Sequence, residues 1–184
     1  MFRAKDSYSD WLKAEFGGLI DEIDLQPTQK RFLRSRWLDQ VAWLEDKANA
    51  ARKSYYALRL TTVIGAVLVP ALVTVNTTTS SLDVAARVAT WIVSLVVAVS
   101  AAVEQFFHYG ERWRHYRQTA ERLKAEGWLF LQLGGAYGVD GATHDEIYPA
   151  FATRVEELIK SDVDVYLTEV AVERSKKEEA PQAG

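Results

Sequence analysis

Two long uncharged stretches dominate the hydrophobic pattern of the chain. Residues 60–82 carry no charged side chain, and after Asp83 and Arg87 residues 88–103 carry none either. A membrane-spanning helix needs about 20 mainly apolar residues to cross roughly 30 Å of hydrocarbon. The second stretch is short, but apolar flanking residues extend it at both ends. The pattern predicts a transmembrane hairpin over residues 60–103, and the alternative is a buried hairpin in a soluble helical protein.

Helical periodicity continues on both sides of this hairpin. The apolar positions step by four and three residues, which is the spacing of a coiled-coil seam. We expect the two seams to pair as an antiparallel coiled coil beneath the membrane. The seam before the hairpin consists of Trp37, Val41, Leu44, Ala48, Ala51, Tyr55 and Leu58. The seam after it consists of Phe106, Tyr109, Trp113, Tyr116, Ala120, Leu123, Gly127 and Phe130.

Several local signals set the ends of the helices. Pro27 predicts the start of the first long helix, and Gly134-Gly135 predicts the end of the second. Thr143 and Glu146 have the spacing of a capping box, so a third cytoplasmic helix is predicted from Thr143. Its apolar face completes a three-helix bundle and consists of Ile147, Phe151, Val155, Leu158 and Tyr166.

Two interruptions fall inside the hairpin. Pro70 lies in the middle of the first span and predicts a kink, because proline removes one backbone hydrogen bond. Gly65 lies close by and is interpreted as a close-packing point for a neighbouring helix. The polar sequence from Asn76 to Ser81 predicts the turn between the two spans.

The predicted fold is an all-α membrane protein whose transmembrane helical hairpin extends into a cytoplasmic antiparallel coiled-coil or three-helix bundle. An amphipathic segment precedes it, in which Leu12, Phe16, Leu19 and Ile23 recur at helical spacing. The predicted segments are 1–27 (amphipathic), 28–59 (cytoplasmic part of the first long helix), 60–103 (hairpin), 104–173 (cytoplasmic helical bundle) and 174–184 (disordered tail).

Charge and composition narrow the class of protein. The net charge of −3 provides no basic field for nucleic acid, so no nucleic-acid partner is expected. The chain has no cysteine, which excludes disulfides and thiolate metal sites. The N-terminal sequence has no apolar core of a signal peptide, so we expect insertion to depend on the hairpin.

The basic residues predict the orientation in the cell membrane. Lys47, Arg52, Lys53 and Arg59 precede the first span, and Arg112, Arg114, Arg117 and Arg122 follow the second. The loop between the spans offers only Arg87. The positive-inside rule therefore predicts a multi-pass protein of the plasma or inner membrane with both termini in the cytoplasm.

One group of polar residues suggests chemistry. Glu104, His108, Glu111 and His115 are spaced to share one helix face, about 150° from the aromatic seam on an ideal helix. The same face continues into the membrane as Ser100, Val97, Val93 and Thr90. Three interpretations stay open: a solvated face with helix-stabilising pairs, a carboxylate ring at the mouth of an oligomeric pore, and a metal site. We do not commit to a metal site.

An enzymatic function has no residues to support it. The sequence offers no nucleophile–base pair, no glycine-rich phosphate loop and no paired acids suited to catalysis. We therefore expect no catalytic residue and no cofactor.

Several stretches resemble a known family. They are residues 36–40, 43–45 and 50–56, Gly65 to Pro70, residues 113–126 with the sequence WRHYRQTAERLKAE, and Gly135-Ala-Tyr. Together they resemble the SLATT superfamily of two-transmembrane proteins, in the branch described as a domain of unknown function, over roughly residues 30–170. The resemblance implies a prokaryotic membrane protein whose relatives are proposed to oligomerise into pores. Tyr116, Arg117 and Glu121 match its most specific motif, and we assign them to bundle packing and ion pairs.

The function expected from the sequence is a homo-oligomeric ion channel. Two spans per subunit cannot enclose a water path, so a pore requires several copies of the chain. Cations are the expected ions because the candidate ring of Glu104 is acidic. Val93 and Val97 would form a hydrophobic constriction between Thr90 and Ser100. If the first helix lines the axis instead, Thr61, Thr62 and Thr74 take their place.

Two further expectations accompany the channel. His108, Glu111 and His115 are candidates for gating or pH sensing, because histidine side chains titrate near neutral pH. The alternative function is a membrane-anchored helical interaction or effector module that conducts no ions. Its expected partners, like those of the channel, include the lipid bilayer and further copies of the chain.

Overall fold

A computed structural model describes residues 8–74 and 80–179, with side chains for residues 8–74 and 84–161. Every regular element among them is helical. The α-helices are α1 (Tyr8–Glu22), α2 (Pro27–Phe32), α3 (Asp39–Thr74), α4 (Ser80–Phe107), α5 (Tyr109–Leu131) and α6 (His144–Glu179). A π-helical turn, Leu33–Leu38, joins α2 to α3, and a 3-10 turn, Gly135–Tyr137, follows α5.

The chain divides into two compact units. The bundle unit holds the residues up to Glu45 and those from Arg117 onward, and the hairpin unit is Asp46–Tyr116. The bundle unit therefore contains α1, α2, the beginning of α3, most of α5 and α6. The hairpin unit contains the rest of α3, all of α4 and the first residues of α5.

The predicted helix boundaries agree with the cap geometry in the bundle unit. Pro27 is the first residue of α2, and the Gln26 N–H donates to Oε1 of Gln29 at 2.8 Å. At α6, the Thr143 N–H donates to Glu146 at 2.8 Å and the Glu146 N–H donates to the Thr143 hydroxyl at 3.4 Å. This reciprocal pair is the predicted capping box.

The end of α5 also follows from local chemistry. The Gly134 N–H donates to the Leu129 carbonyl at 2.8 Å, and Gly135 has φ +55°, a conformation that glycine adopts without steric cost. Leu133 shares this left-handed conformation with φ +49°. The predicted end of the helix at Gly134-Gly135 is thus confirmed.

Aromatic side chains fill the core of the bundle unit. The Phe130 and Phe151 rings are stacked with centroids 4.3 Å apart, which joins α5 to α6. Trp37 lies edge-on to Phe16 at 5.2 Å and to Phe151 at 6.0 Å. Helix α1 therefore packs on the core with the three predicted helices.

The π-helical turn places Trp37 at the centre of this core. Its indole Nε1 donates to the Leu123 carbonyl at 2.9 Å, which satisfies its buried N–H. Gly127, one turn further along α5, leaves the space that the indole ring occupies. A Cβ on Gly127 would lie 1.9 Å from a ring carbon of Trp37. Five seam residues of α3 and its preceding turn are buried: Trp37, Val41, Leu44, Ala48 and Ala51. Coiled-coil geometry itself stays a prediction.

Two details of the described bundle differ from the sequence-based expectations. In α1 the buried apolar positions are Leu12, Phe16 and Ile20, whereas Leu19 and Ile23 are only half-buried. Helix α6 extends to Glu179, so its backbone includes the first residues of the tail predicted to be disordered. A run rich in Lys and Glu has high intrinsic helix propensity, which is consistent with the extension. The side chain of Tyr166 and the segment 180–184 lie outside the described part.

Replacing Gly127 with Ala is expected to destabilise the bundle unit. The new methyl group must displace the Trp37 indole or the backbone of α5, and overpacking of this kind costs about 1–3 kcal/mol. Gly18→Ala is the matched control, because a Cβ there meets nothing within 4 Å and alanine favours helix. Denaturant unfolding of the full chain in detergent micelles, followed by circular dichroism, measures the difference. Equal stability of the two variants would contradict the packing described above.

Candidate functional site

The hairpin unit carries the two helices that are long and apolar enough to cross a membrane. They are the continuous helical stretch Pro27–Thr74 and the helix Val84–Phe107. Only 6% of the most apolar 18-residue window in each is buried within the protein. The core helix of a soluble protein would bury most of such a window. These apolar faces therefore need a covering that this single chain does not provide.

The outward faces of both helices are mainly apolar, with exposed polar side chains near their ends at Thr74, Arg87 and Gln105. On α3, Val67 is 69% exposed and Val73 is 68% exposed, and on α4 the indole of Trp91 is 79% exposed. The remaining large exposed side chains of the two spans continue the same surface: Leu60, Val63, Ile64, Leu68, Val84, Val88, Ile92, Leu95, Val96, Val99, Phe106 and Phe107.

The polar side of α4 faces α3. A Cβ on Gly65 of α3 would lie 2.0 Å from a methyl carbon of Val97 and 3.8 Å from one of Val93. Helices this close require glycine at the contact, so Gly65 is the predicted close-packing point. Ser100, one turn from Val97, is 8% exposed, and Thr90 and Glu104 are half-buried. The face from Thr90 to Glu104 therefore lies at the contact between the two helices.

This placement corrects the prediction that the same face points away from the packing side. The prediction assumed one unbroken helix from α4 into α5. His108 interrupts it, because this residue lies between the two helices with φ +49°. A left-handed residue changes the rotational phase of the helix that follows it. The polar face of α4 and the aromatic face of α5 consequently both turn towards α3.

The break also separates Glu104, His108, Glu111 and His115, the four residues that were predicted to share one helix face. Glu104 belongs to the last turn of α4, His108 lies at the break and is exposed, and Glu111 and His115 are on α5. Phe106, predicted in the packing seam, is 73% exposed for the same reason. Among the residues that the structure describes, no group of three or more His, Asp or Glu side chains is placed to hold a metal ion.

Hydroxyl groups within the spans bond to their own helix. Thr61 and Thr62 donate to the carbonyls of Ala57 and Leu58 at 2.9 and 3.0 Å, and Thr90 donates to that of Ala86 at 2.8 Å. Thr74 makes the same kind of bond to Ala71 at 2.9 Å. These bonds satisfy the hydroxyl donors without water. Pro70 lies inside α3, which remains helical through it, and the kink stays a prediction.

Aromatic rings and cations mark one end of the hairpin. The Trp113 ring lies 6.3 Å from that of Tyr55 and 5.9 Å from that of Tyr56, and Gly110 packs directly on Tyr55. This is the end at which the apolar surface of α3 stops and charged residues begin. Of the turn predicted from Asn76 to Ser81, residues 76–79 lie outside the described residues, and Ser80 and Ser81 are the first residues of α4.

A buried ion network in the bundle unit was not predicted from the sequence. The carboxylate of Glu45 is fully buried, with Arg117 Nη1 at 2.6 Å and Lys124 Nζ at 2.8 Å. Glu121 accepts a second hydrogen bond from Lys124 at 2.9 Å. Burial lowers the pKa of Lys124, but its hydrogen bonds to the two carboxylates outweigh this and raise the pKa above its ordinary value.

The position of Glu45 was a usable signal. It follows the seam residue Val41 by four residues, so helical periodicity places it on the packing face. An acidic residue on such a face needs cationic partners. The expected ion-pairing role of Arg117 and Glu121 is confirmed by their contacts with Glu45, Lys124 and each other.

A second unpredicted contact is the Tyr137 hydroxyl donating to Glu126. Burial and this carboxylate raise the pKa of Tyr137.

Comparison with known proteins gives one match. The sequence model of a family described as "Protein of unknown function (DUF4231)" matches residues 39–145. That range covers the apolar hairpin and the whole of α5. No curated protein and no solved structure gives a significant match.

Replacing Gly65 with Leu is expected to separate α3 from α4. Any Cβ at this position overlaps Val97, so the helices must move apart and lose contacts on both sides of the crossing. Ala66→Leu is the matched control, because Ala66 is exposed on the outward face. Heating the full chain in detergent micelles while recording helical circular dichroism should give a melting temperature clearly lower for Gly65→Leu alone. Equal melting temperatures would contradict the contact at Gly65.

Proposed function

This chain belongs to the DUF4231 family, and we propose that it is a membrane-anchored helical module. In this proposal α3 and α4 cross the bilayer as a hairpin. The hairpin holds the aromatic-cored bundle unit at the cytoplasmic surface, where the bundle is the part available to other proteins. Further copies of the chain are proposed as neighbours in the membrane.

The single observation that carries this proposal is the nearly complete exposure of the two apolar helices. Each buries only 6% of its most apolar window, and the exposed side chains are Val, Leu, Ile and Trp. Exposure of such a surface to water costs about 25 cal/mol per Å², whereas lipid covers it without cost. The inward position of Ser100 and the helix-bonded hydroxyls of Thr61 and Thr90 support the same arrangement.

The proposed orientation rests on the basic residues beside the spans. We place both termini in the cytoplasm and the turn between α3 and α4 on the outer side of the membrane. The reason is that the short segments flanking a span on its cytoplasmic side are enriched in Lys and Arg. The proposed location is the plasma membrane or the inner membrane of the cell.

Single-cysteine labelling tests both the membrane location and the orientation. The chain has no cysteine, so each introduced thiol reports alone. We expect Asp140→Cys to be shielded from a membrane-impermeant maleimide in intact cells and to react after lysis. Thr78→Cys, in the predicted outside turn, is expected to react in intact cells.

One outcome of the labelling, and one outcome of a separate carbonate extraction, would contradict the proposal in different ways. Reaction of Asp140→Cys but not Thr78→Cys in intact cells would reverse the orientation. Release of the wild-type chain from membranes by alkaline carbonate would exclude the transmembrane hairpin itself.

A second candidate function is the homo-oligomeric, cation-preferring channel. One observation favours it: Thr90, Ser100 and Glu104 share one face of a mainly apolar helix, with Val93 and Val97 between them. In a single chain this face contacts α3. Conduction therefore requires an oligomer in which the two helices of a hairpin separate or neighbouring hairpins share the face. The resemblance to the SLATT superfamily supports oligomerisation, and membership of that superfamily remains part of this proposal.

Current recordings from reconstituted bilayers separate the two functions. If the channel exists, Glu104→Gln is expected to reduce the preference for cations, because it removes the carboxylate nearest the membrane edge. Glu111→Gln is the matched control, since Glu111 is exposed on α5 beyond the break. A stable oligomer that passes no current at any voltage or pH would eliminate the channel. A current whose selectivity is the same in both variants would eliminate the role of Glu104.

A further inference from the structure

We propose that the cytoplasmic end of the hairpin is a binding site for the phosphate groups of anionic phospholipids. The site is the basic collar, which we define as Arg52, Lys53 and Arg59 on α3 and Arg114 on α5. This inference rests on the proposed membrane location. The proposed function places this surface in a bilayer, and the inference adds that it binds one class of lipid in particular.

The collar is exposed, and its cations make no ion pair with the side chains that the structure describes. All four side chains are exposed, and no hydrogen bond or ion pair to any of them is found among the side chains that the structure describes. This differs from the bundle unit, where Arg36 is paired with Glu156 and Arg117 with Glu45. Across residues 52–59 and 109–116 there are five Arg and Lys side chains and one acidic residue, Glu111.

The geometry of α3 places two of these cations on the same helix face as an exposed aromatic ring. Arg52, Tyr56 and Arg59 are spaced four and three residues apart, so they share a helix face that rises by about 10 Å. Tyr56 is exposed, and its ring lies 5.9 Å from that of Trp113. Tyrosine and tryptophan side chains favour the headgroup level of a bilayer. The rings therefore place the collar at the depth of lipid phosphates.

The chemistry of the collar selects phosphate over other anions of the bilayer surface. The guanidinium groups of Arg52 and Arg59 can each make paired hydrogen bonds to phosphate oxygens. The apolar face that begins at Leu60 offers a surface for the acyl chains of the same lipid. A zwitterionic lipid brings its own cation to the phosphate, so a lipid with a net negative charge is the better ligand for an unpaired basic surface.

The test measures lipid retained by the full chain. Wild-type protein is reconstituted into phosphatidylcholine vesicles that contain a minor fraction of phosphatidylglycerol. It is then extracted in mild detergent, and its bound lipids are quantified by mass spectrometry. We expect enrichment of phosphatidylglycerol over its fraction in the vesicles. The variant Arg52→Gln/Arg59→Gln should reduce this enrichment on the order of tenfold.

The matched control is Arg31→Gln/Arg122→Gln, which removes the same charge from exposed positions in the bundle unit. It should retain the wild-type enrichment, and glutamine preserves helix propensity in both variants. Equal enrichment in the collar variant and the wild type, or no enrichment in the wild type, would overturn the inference.

A flotation assay with neutral vesicles distinguishes this failure from failure of the membrane location. If the wild-type chain floats with pure phosphatidylcholine vesicles after a carbonate wash but shows no enrichment, only the collar assignment is lost. If it does not float, the membrane location is lost as well. Circular dichroism of both variants confirms that each remains helical.

Discussion

In the proposed membrane setting, every polar group within the apolar helices must find its hydrogen-bond partner without water, and the described hydroxyl groups of the hairpin can be compared with this constraint. The α-helical backbone satisfies its own amides, and the threonine hydroxyls bond to carbonyls three or four residues earlier. Ser100 and Glu104 turn towards the contact between the helices. Between Val88 and Glu104 the exposed side chains of α4 are then apolar, and the exposed polar residues Arg87 and Gln105 lie outside that stretch. A glycine at the crossing lets the two backbones approach, so this arrangement leaves little space between them.

In the bundle unit, a charged side chain is likewise removed from water and must find partners within the protein. Glu45 is taken out of water entirely, and two cationic side chains of α5, Arg117 and Lys124, compensate for this. Removing one member of such a network leaves a buried charge without a partner, which is more costly than never having buried it. Around this network the core is aromatic, and its closest contact again depends on a glycine, Gly127 against Trp37. The two units thus use small residues on one helix to admit a large or branched side chain of another.

The sequence was sufficient to predict the helices but not the rotation of one helix, about its axis, relative to the next. Apolar periodicity identified the spans, the buried positions of α3 and the capping box at Thr143, because each depends on residues close in sequence. The left-handed conformation of His108 leaves no trace in such a pattern, since histidine fits a continuous helix equally well. One residue of this kind reversed the predicted direction of the face from Thr90 to Glu104. The partners of Glu45 were equally hidden, because they depend on which helices meet.

If the hairpin crosses the membrane as proposed, His108 has a consequence for how it responds to the thickness of the bilayer. Helix α4 has 28 residues, about 42 Å of length, which exceeds the hydrocarbon depth of an ordinary membrane. A long helix adjusts to a thinner bilayer by tilting. Because the helix ends at Phe107 and a new one begins at Tyr109, α4 can change its tilt while Tyr109 and Trp113 stay at the headgroups. Helix α3 is continuous from Asp39 to Thr74 and has no left-handed residue, although Pro70 lies within it, so we expect the two proposed spans to respond differently to hydrophobic mismatch.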